Sequence, residues 1–183
     1  MRSAAAIPCL LALLLLPAAT PQSRADAPDA PAAAARRHAQ ALRANPESAA
    51  DLLGLGRALL GLNRPADALP VFRRLESIRP DDPDAPLGIA AATAGLPDPL
   101  RPDVQKGLAS ASRAVDLLPD SPEAWRILSV LRHLDGQYAS AADAASRALL
   151  LAVRQRRPPA EIVHYQQQET ACNQAVLVFS PLD

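Results

Sequence analysis

The chain has 183 residues, 19 acidic and 19 basic side chains, 49% hydrophobic residues and only 3% aromatic residues. This length and apolar content suffice for one domain with a hydrophobic core, and the abundance of alanine and leucine beside only 7 glycines favours helices throughout. The balanced charge, without a basic patch, argues against nucleic acid as a partner.

The first 25 residues have the pattern of a secretory signal peptide. Arg2 precedes an apolar run from Ala4 to Leu16, which Pro17 ends, and Ser23-Arg24-Ala25 offers small residues where a signal peptidase reads. We therefore predict a periplasmic or secreted protein that is cleaved near Ala25. The alternative is an uncleaved helix that anchors the protein in the membrane, although the run is short for a membrane span.

The next residues predict a leader and then an isolated helix. Alternating Ala, Asp and Pro over residues 26–31 are typical of a flexible leader, and residues 32–46 form a helical run that Asn45-Pro46 closes. Because this run has no partner helix before it, we interpret it as the second helix of a half repeat.

Residues 48–80 predict a complete pair of helices. Ser48 and Asp51 resemble a capping box, and Asn63 stands where the turn between the helices needs a left-handed residue. The second helix carries Ala68-x3-Phe72, and the unit ends at Pro80.

Residues 83–119 repeat this plan with a longer connection. The first helix is predicted to end at Gly95, and residues 96–102 contain three prolines, which predicts a non-helical loop. The second helix is predicted from about Asp103 to Leu118, with three small residues on its packing face: Gly107, Ala111 and Ala114.

Residues 121–157 form the clearest pair. Ser121-Pro122-Glu123 is typical of a helix start, and Gly136 predicts the turn to the second helix. Small residues on that second helix allow close helix packing: Ala141, Ala145 and Ala148. Since Val153 stands where the earlier units have a closing proline, this helix is predicted to continue to about Arg157.

These residues resemble the tetratricopeptide repeat. The similarity rests on Trp125-x2-Leu128, on Gly136-x-Tyr138 and on Ala68-x3-Phe72, and the closing prolines Pro46 and Pro80 are 34 residues apart, which is the length of this repeat. The resemblance implies an all-α fold, a right-handed superhelix (α-solenoid) of helix–turn–helix repeats over residues 32–157.

Residues 158–183 are predicted to cap the open end of this stack. The apolar side chains between Ala160 and Phe179 recur at helical spacing, so they predict an amphipathic helix, although its last five residues are also β-prone. The predicted core-facing residues are Ile162, Tyr165, Cys172, Val176 and Phe179.

The resemblance implies protein–protein interaction as the function. In tetratricopeptide repeat proteins the first helices of the repeats line an inner groove that commonly holds a peptide or a helix of a partner. The residues predicted to line it here are Leu53, Arg57, Leu60, Leu87, Ala91, Ala94, Arg126, Val130 and His133. Arg57 and Arg126 would add charge-assisted hydrogen bonds to an acidic or carbonyl-rich ligand. The alternative is that loops or edges bind the partner.

No residue pattern predicts catalysis, a cofactor or a metal site. His38, His133 and His164 lack the paired spacing of metal ligands, and Gly54-x-Gly56 follows no strand, so it is interpreted as helix packing rather than a dinucleotide loop. Cys172 is interpreted as a small apolar residue, with an intermolecular disulfide as the alternative.

We therefore predict a non-enzymatic adaptor or scaffold that assembles envelope complexes, for example a pilus, a secretion system or the machinery of cytochrome maturation. The alternatives are a membrane-tethered scaffold with an uncleaved N-terminal helix and a non-catalytic subunit that supports an enzyme.

Overall fold

The computed structural model describes residues 30–179, which form eight helices and no strand. The all-α repeat fold predicted from the sequence is confirmed. The helices are α1 (Ala30–Ala44), α2 (Ala49–Gly61), α3 (Pro65–Ile78), α4 (Asp84–Ala94), α5 (Arg101–Leu117), α6 (Pro122–Leu134), α7 (Tyr138–Arg154) and α8 (Pro159–Phe179). The predicted signal peptide over residues 1–25 lies outside the described residues.

The helices stack as antiparallel pairs: α2 with α3, α4 with α5, and α6 with α7, while α1 packs on α2 and α8 packs on α7. The first helices of successive pairs also contact one another: α2 contacts α4, α4 contacts α6, and α6 contacts α8. Because neighbouring repeats converge on the inside of a curved stack, these four helices form its inner layer. Helices α3, α5 and α7 form the outer layer.

The predicted helix starts and turns are confirmed at four positions. The hydroxyl oxygens of Ser48 and Ser121 accept hydrogen bonds from the backbone N–H groups of the first turns of α2 and α6. Asn63 and Gly136 adopt left-handed backbone angles, φ 55° and φ 81°, at the two tightest turns. Each feature satisfies or redirects the backbone groups that a helix end leaves unpaired.

Three helix boundaries differ from the predictions. Helix α1 begins at Ala30, inside the predicted leader, and α5 begins at Arg101, because Pro102 lies in its first turn, where no backbone donor is required. Helix α7 ends at Arg154 rather than near Arg157. Arg156 is left-handed (φ 53°), and the N–H of Arg157 returns to the carbonyl of Ala152 at 3.0 Å. A non-glycine residue therefore ends this helix.

Small buried residues bring the helices close together. Ala68 of α3 and Ala141 of α7 have no exposed surface, and Ala111 of α5 is likewise fully buried. The ring of His38 packs against Gly54, which confirms the interpretation of Gly54-x-Gly56 as helix packing. Helix α4 joins two core clusters, because Ile89 packs among α2 and α3 while Ala90 packs among α5 and α6.

Helix α8 covers α7, and its β-prone end is helical. Tyr165 and Cys172 are buried against α7, and Val176 is half-buried beside them. Phe179 departs from the predicted core face, because 61% of it is exposed while its ring stacks on Tyr138 at 4.8 Å. Among the helices in residues 30–179, none is both long enough and apolar enough to span a membrane.

Candidate partner-binding groove

Five of the predicted groove residues come together on the inner layer, where they line one open cavity of about 170 Å³. Leu53, Arg57 and Leu60 project from α2, and Leu87 and Ala91 project from α4. The residues lie one helical turn apart on each helix, so the side chains of each helix share one face. We call this cavity the Phe72 pocket, after the residue at its floor.

Sequence reasoning missed the other residues that line the Phe72 pocket, namely Phe72, Asp84, Gly88, Glu123 and Ile127. In the sequence, Phe72 is recognised only as part of the Ala68-x3-Phe72 repeat pattern, and it stands on α3 in the outer layer. Its ring is 1% exposed and reaches inward between α2 and α4.

Two glycines create the passage for the Phe72 ring. A Cβ built on Gly56 of α2 or on Gly88 of α4 would lie within 3.0 Å of ring atoms of Phe72. Side chains at these positions would fill the space that the ring occupies, since atoms of a well-packed core have little room to shift. The two glycines therefore leave the room that the Phe72 ring occupies between α2 and α4.

Each charged residue of the pocket has an ion-pair partner. The Nη2 atom of Arg57 donates a hydrogen bond to Oδ1 of Asp84 at 2.9 Å, which joins α2 to α4. The Arg57 side chain is 62% exposed, so this pair stands at the rim of the pocket, where an ion pair is worth less than about 1 kcal/mol. Apart from Glu123, the rest of the lining is apolar, namely Leu53, Leu60, Phe72, Leu87, Gly88, Ala91 and Ile127.

Arg126 lies outside the Phe72 pocket, in a second cavity of about 380 Å³ between α6 and α8. Its Nε and Nη2 atoms donate to the two carboxylate oxygens of Glu123 at 2.8 and 2.6 Å. These hydrogen bonds raise the pKa of Arg126. The wall formed by α8 includes Tyr165, and burial raises the pKa of that phenol.

The remaining groove residues lie at the end of α4 and farther along α6. Ala94, Val130 and His133 are half-buried, and none of them lines the Phe72 pocket or the second cavity. The ring of His133 packs edge to face against Tyr138 at 5.3 Å, and Tyr138 in turn stacks on Phe179 at the end of α8. The predicted nine-residue face is thus divided. Its α2 and α4 portion is an open pocket, and α8 lies beside its α6 portion.

Two stretches of the chain, residues 22–83 and 103–161, match the family model described as a tetratricopeptide repeat, and together they span more than half of the chain. The chain belongs to the tetratricopeptide repeat family. The unmatched residues 84–102 hold α4 and the proline-rich loop after it, the part of the chain that departs most from the repeat pattern.

Solved structures of tetratricopeptide repeat proteins share the fold. A thermophilic protein of this class from Thermus thermophilus has 20% sequence identity and a TM-score of 0.60, over 87% of this chain and 88% of that one. The Sgt2 domain from Aspergillus fumigatus has 17% identity and a TM-score of 0.57, over 74% and 86%. MamA from Desulfovibrio magneticus has 17% identity and a TM-score of 0.57, over 86% and 92%. A sequence comparison with curated proteins gave no match.

His38 and Asp51, which lie outside the groove, form a hydrogen-bonded pair. Nδ1 of His38 on α1 lies 2.9 Å from Oδ1 of Asp51 on α2, and the Ser48 hydroxyl donates to the other oxygen at 2.6 Å. The hydrogen bonds from Ser48 and His38 lower the pKa of the Asp51 carboxyl. These contacts fasten α1 to the first turn of α2.

Cys172 is fully buried among alanines of α7, as its interpretation as a small apolar residue predicted, and burial raises the pKa of its thiol. A thiol held neutral and away from solvent is a poor nucleophile. Residues 30–179 contain no group of three or more side chains that are able to hold a metal ion.

Proposed function

We propose that this tetratricopeptide repeat protein is a non-enzymatic scaffold that holds a protein or peptide against the inner layer of its repeats. The observation that carries the proposal is the Phe72 pocket, where Leu53, Leu60 and Leu87 of two successive repeats are only half-buried and line an open cavity at the edge of the core. Apolar side chains that border an open concave surface are typical of a binding site.

We further propose that the scaffold acts in the cell envelope, where it helps to assemble a multiprotein complex such as a pilus, a secretion system or the cytochrome maturation machinery. Support comes from the signal-like pattern of residues 1–25 and from the all-helical repeats that follow. The groove then faces partners that are exported or displayed on the same side of the membrane.

Export is tested by the mass of the protein recovered from the periplasm. We expect a new N-terminus near Ala25, because Ser23 and Ala25 supply the small residues that a signal peptidase requires. Intact-mass spectrometry measures this directly. A full-length chain recovered only from membranes would contradict cleavage and support the membrane-tethered alternative.

Partner binding is tested by comparing the same substitution inside and outside the groove. Leu60→Glu places a charge in the Phe72 pocket, whereas Leu150→Glu changes a leucine on α7 that is already 59% exposed. If the groove binds, Leu60→Glu weakens capture of partner proteins by about 2 kcal/mol or more, because a central apolar contact is lost. Leu150→Glu leaves capture unchanged.

The readout is a periplasmic pull-down quantified by mass spectrometry, after circular dichroism has shown that both variants keep the helicity and melting temperature of the parent. Partners retained equally by both variants would show that another surface binds them.

A further inference from the structure

The shape of the Phe72 pocket limits the size of the group that enters it. Its volume of about 170 Å³ is close to that of an engineered protein cavity of about 150 Å³ that binds benzene. The pocket therefore has room for one leucine or one aromatic ring, but not for two such side chains. Phe72 lines its buried end, and the other apolar lining residues include Leu53, Leu60, Leu87 and Ala91.

The floor of the pocket is rigid. Phe72 is enclosed by Gly56 and Gly88 so closely that no Cβ fits at either position, and only 1% of the residue is exposed. The ring cannot turn away to enlarge the pocket without separating α2 from α4. The size of the side chain that the pocket accepts therefore depends on the backbone positions of α2 and α4 and not on movement of the Phe72 ring.

The charges on the lining are already neutralised. Arg57 is paired with Asp84, and Glu123 accepts two hydrogen bonds from Arg126. An acidic side chain entering the pocket would approach Asp84 and Glu123, and a basic one would compete with Arg57. Either charge would also lose its hydration against leucine side chains, which is costly without a dedicated partner. The sequence predicts that Arg57 and Arg126 bind an acidic or carbonyl-rich ligand, and in the structure both arginines are already paired with carboxylates.

From these three observations we infer that the Phe72 pocket takes a single bulky apolar side chain, leucine or an aromatic residue, from an uncharged stretch of a partner polypeptide. This inference rests on the proposed function and specifies the chemistry that the groove recognises. Because attraction between net charges has no part in it, affinity falls little as salt rises.

The probes are peptides selected from a random library displayed on phage against the exported chain, and then synthesised with a fluorophore. We expect the enriched sequences to share one leucine or aromatic residue with uncharged neighbours. Replacing that residue by alanine weakens binding about tenfold or more, as measured by fluorescence anisotropy. Raising the salt from about 0.1 M to about 1 M changes the affinity by less than about threefold.

A variant that fills the pocket separates it from the rest of the groove. Ala91→Phe places a ring in the cavity from the half-exposed side of α4, and Ala109→Phe adds the same ring to an exposed site on the outer helix α5. We expect the affinity of the selected peptides to fall about tenfold or more with Ala91→Phe and to be unchanged with Ala109→Phe. Equal melting temperatures establish that both variants fold.

Three outcomes overturn the inference: an acidic or basic consensus, a steep loss of affinity with salt, or a selection that enriches no peptide sensitive to Ala91→Phe. If Leu60→Glu abolishes capture of partner proteins while Ala91→Phe has no effect on the peptides, the groove binds without using the pocket, and only the inference fails. If capture survives Leu60→Glu as well, the proposed function fails with it.

Discussion

Phe72, a residue of the outer layer, forms part of the candidate groove on the inner layer. The helical spacing that predicts the groove residues on the first helices cannot identify Phe72, because Phe72 belongs to α3. Its Ala68-x3-Phe72 spacing indicates only helix packing. What brings its ring to the groove is the pair of glycines on α2 and α4, and Gly88 has no sequence signal that distinguishes it from an ordinary helix-packing glycine. Glycine is required at position 88 of α4 because of Phe72 on α3. The sequence of α4 alone therefore cannot reveal this requirement.

We therefore predict that Gly88→Ala destabilises the protein although alanine is the better helix former. The new Cβ would stand within 3.0 Å of the buried Phe72 ring, and such overpacking costs about 1–3 kcal/mol. The control is Gly61→Ala on α2, where the nearest atom is 3.6 Å away and a neutral or slightly stabilising effect is expected. Urea unfolding of both variants measures the difference.

The same substitution in a Phe72→Leu background tests the cause. With the ring gone, Gly88→Ala should cost clearly less than it does in the parent, since leucine leaves space beside α4. An unchanged cost in both backgrounds would mean that Phe72 is not what excludes a side chain at position 88.

At the scale of the helices, capping and turn residues made most boundaries predictable. Ser48, Asn63, Ser121 and Gly136 each carry a local chemical signal, and each acts in the structure as that signal indicates. The end of α7 could not be found in this way, because the left-handed residue there is Arg156. An arginine has no preference for that conformation, so the surrounding structure imposes it.

The two faces of helix α8 differ in burial, and this difference predicts which substitutions on α8 destabilise the protein. Tyr165 is 5% exposed and packs among alanines of α7, whereas Leu177 is 81% exposed. Tyr165→Ala should lower the free energy of unfolding by roughly 3 kcal/mol or more, through lost apolar burial and the cavity left behind. Leu177→Ala should change it by less than about 0.5 kcal/mol.

Chemical unfolding followed by circular dichroism measures both changes. Equal effects of the two substitutions would show that α8 does not cap the stack through the Tyr165 face.

At the scale of the whole molecule, the sequence predicted the repeat fold and a nine-residue inner face. Five of these residues line the Phe72 pocket, but the sequence could not show that the face is divided into two portions. The placement of Leu53, Leu60 and Leu87 on the groove follows from the resemblance to the repeat family together with helical spacing, since the repeats place equivalent positions side by side. The surroundings of Arg126 and His133 depend on where α8 lies, and the pairing of Arg57 depends on the neighbouring repeat. These surroundings and this pairing depend on contacts between segments that are distant in the sequence, so no local sequence pattern predicts them.

The core is divided into separate clusters, one among α2, α3 and α4 and another between α7 and α8. We therefore predict that the two ends of the stack unfold separately. In a repeat protein, stability is approximately the sum of terms for each repeat and for each interface between neighbours. Ala68→Trp overpacks the cluster that joins α2, α3 and α4, whereas Ala141→Trp overpacks the cluster between α7 and α8; both alanines are fully buried. The exposed Ala139 provides the control substitution Ala139→Trp.

Hydrogen exchange monitored by mass spectrometry measures the result helix by helix. With Ala68→Trp we expect faster exchange in α1 to α4 and near-parental protection in α6 to α8, and with Ala141→Trp we expect the reverse. Ala139→Trp should leave both ends protected. If either buried substitution accelerates exchange equally in all helices, the stack unfolds as one cooperative unit. Helix α4 would then couple the two core clusters that it joins, so that disruption of one also destabilises the other.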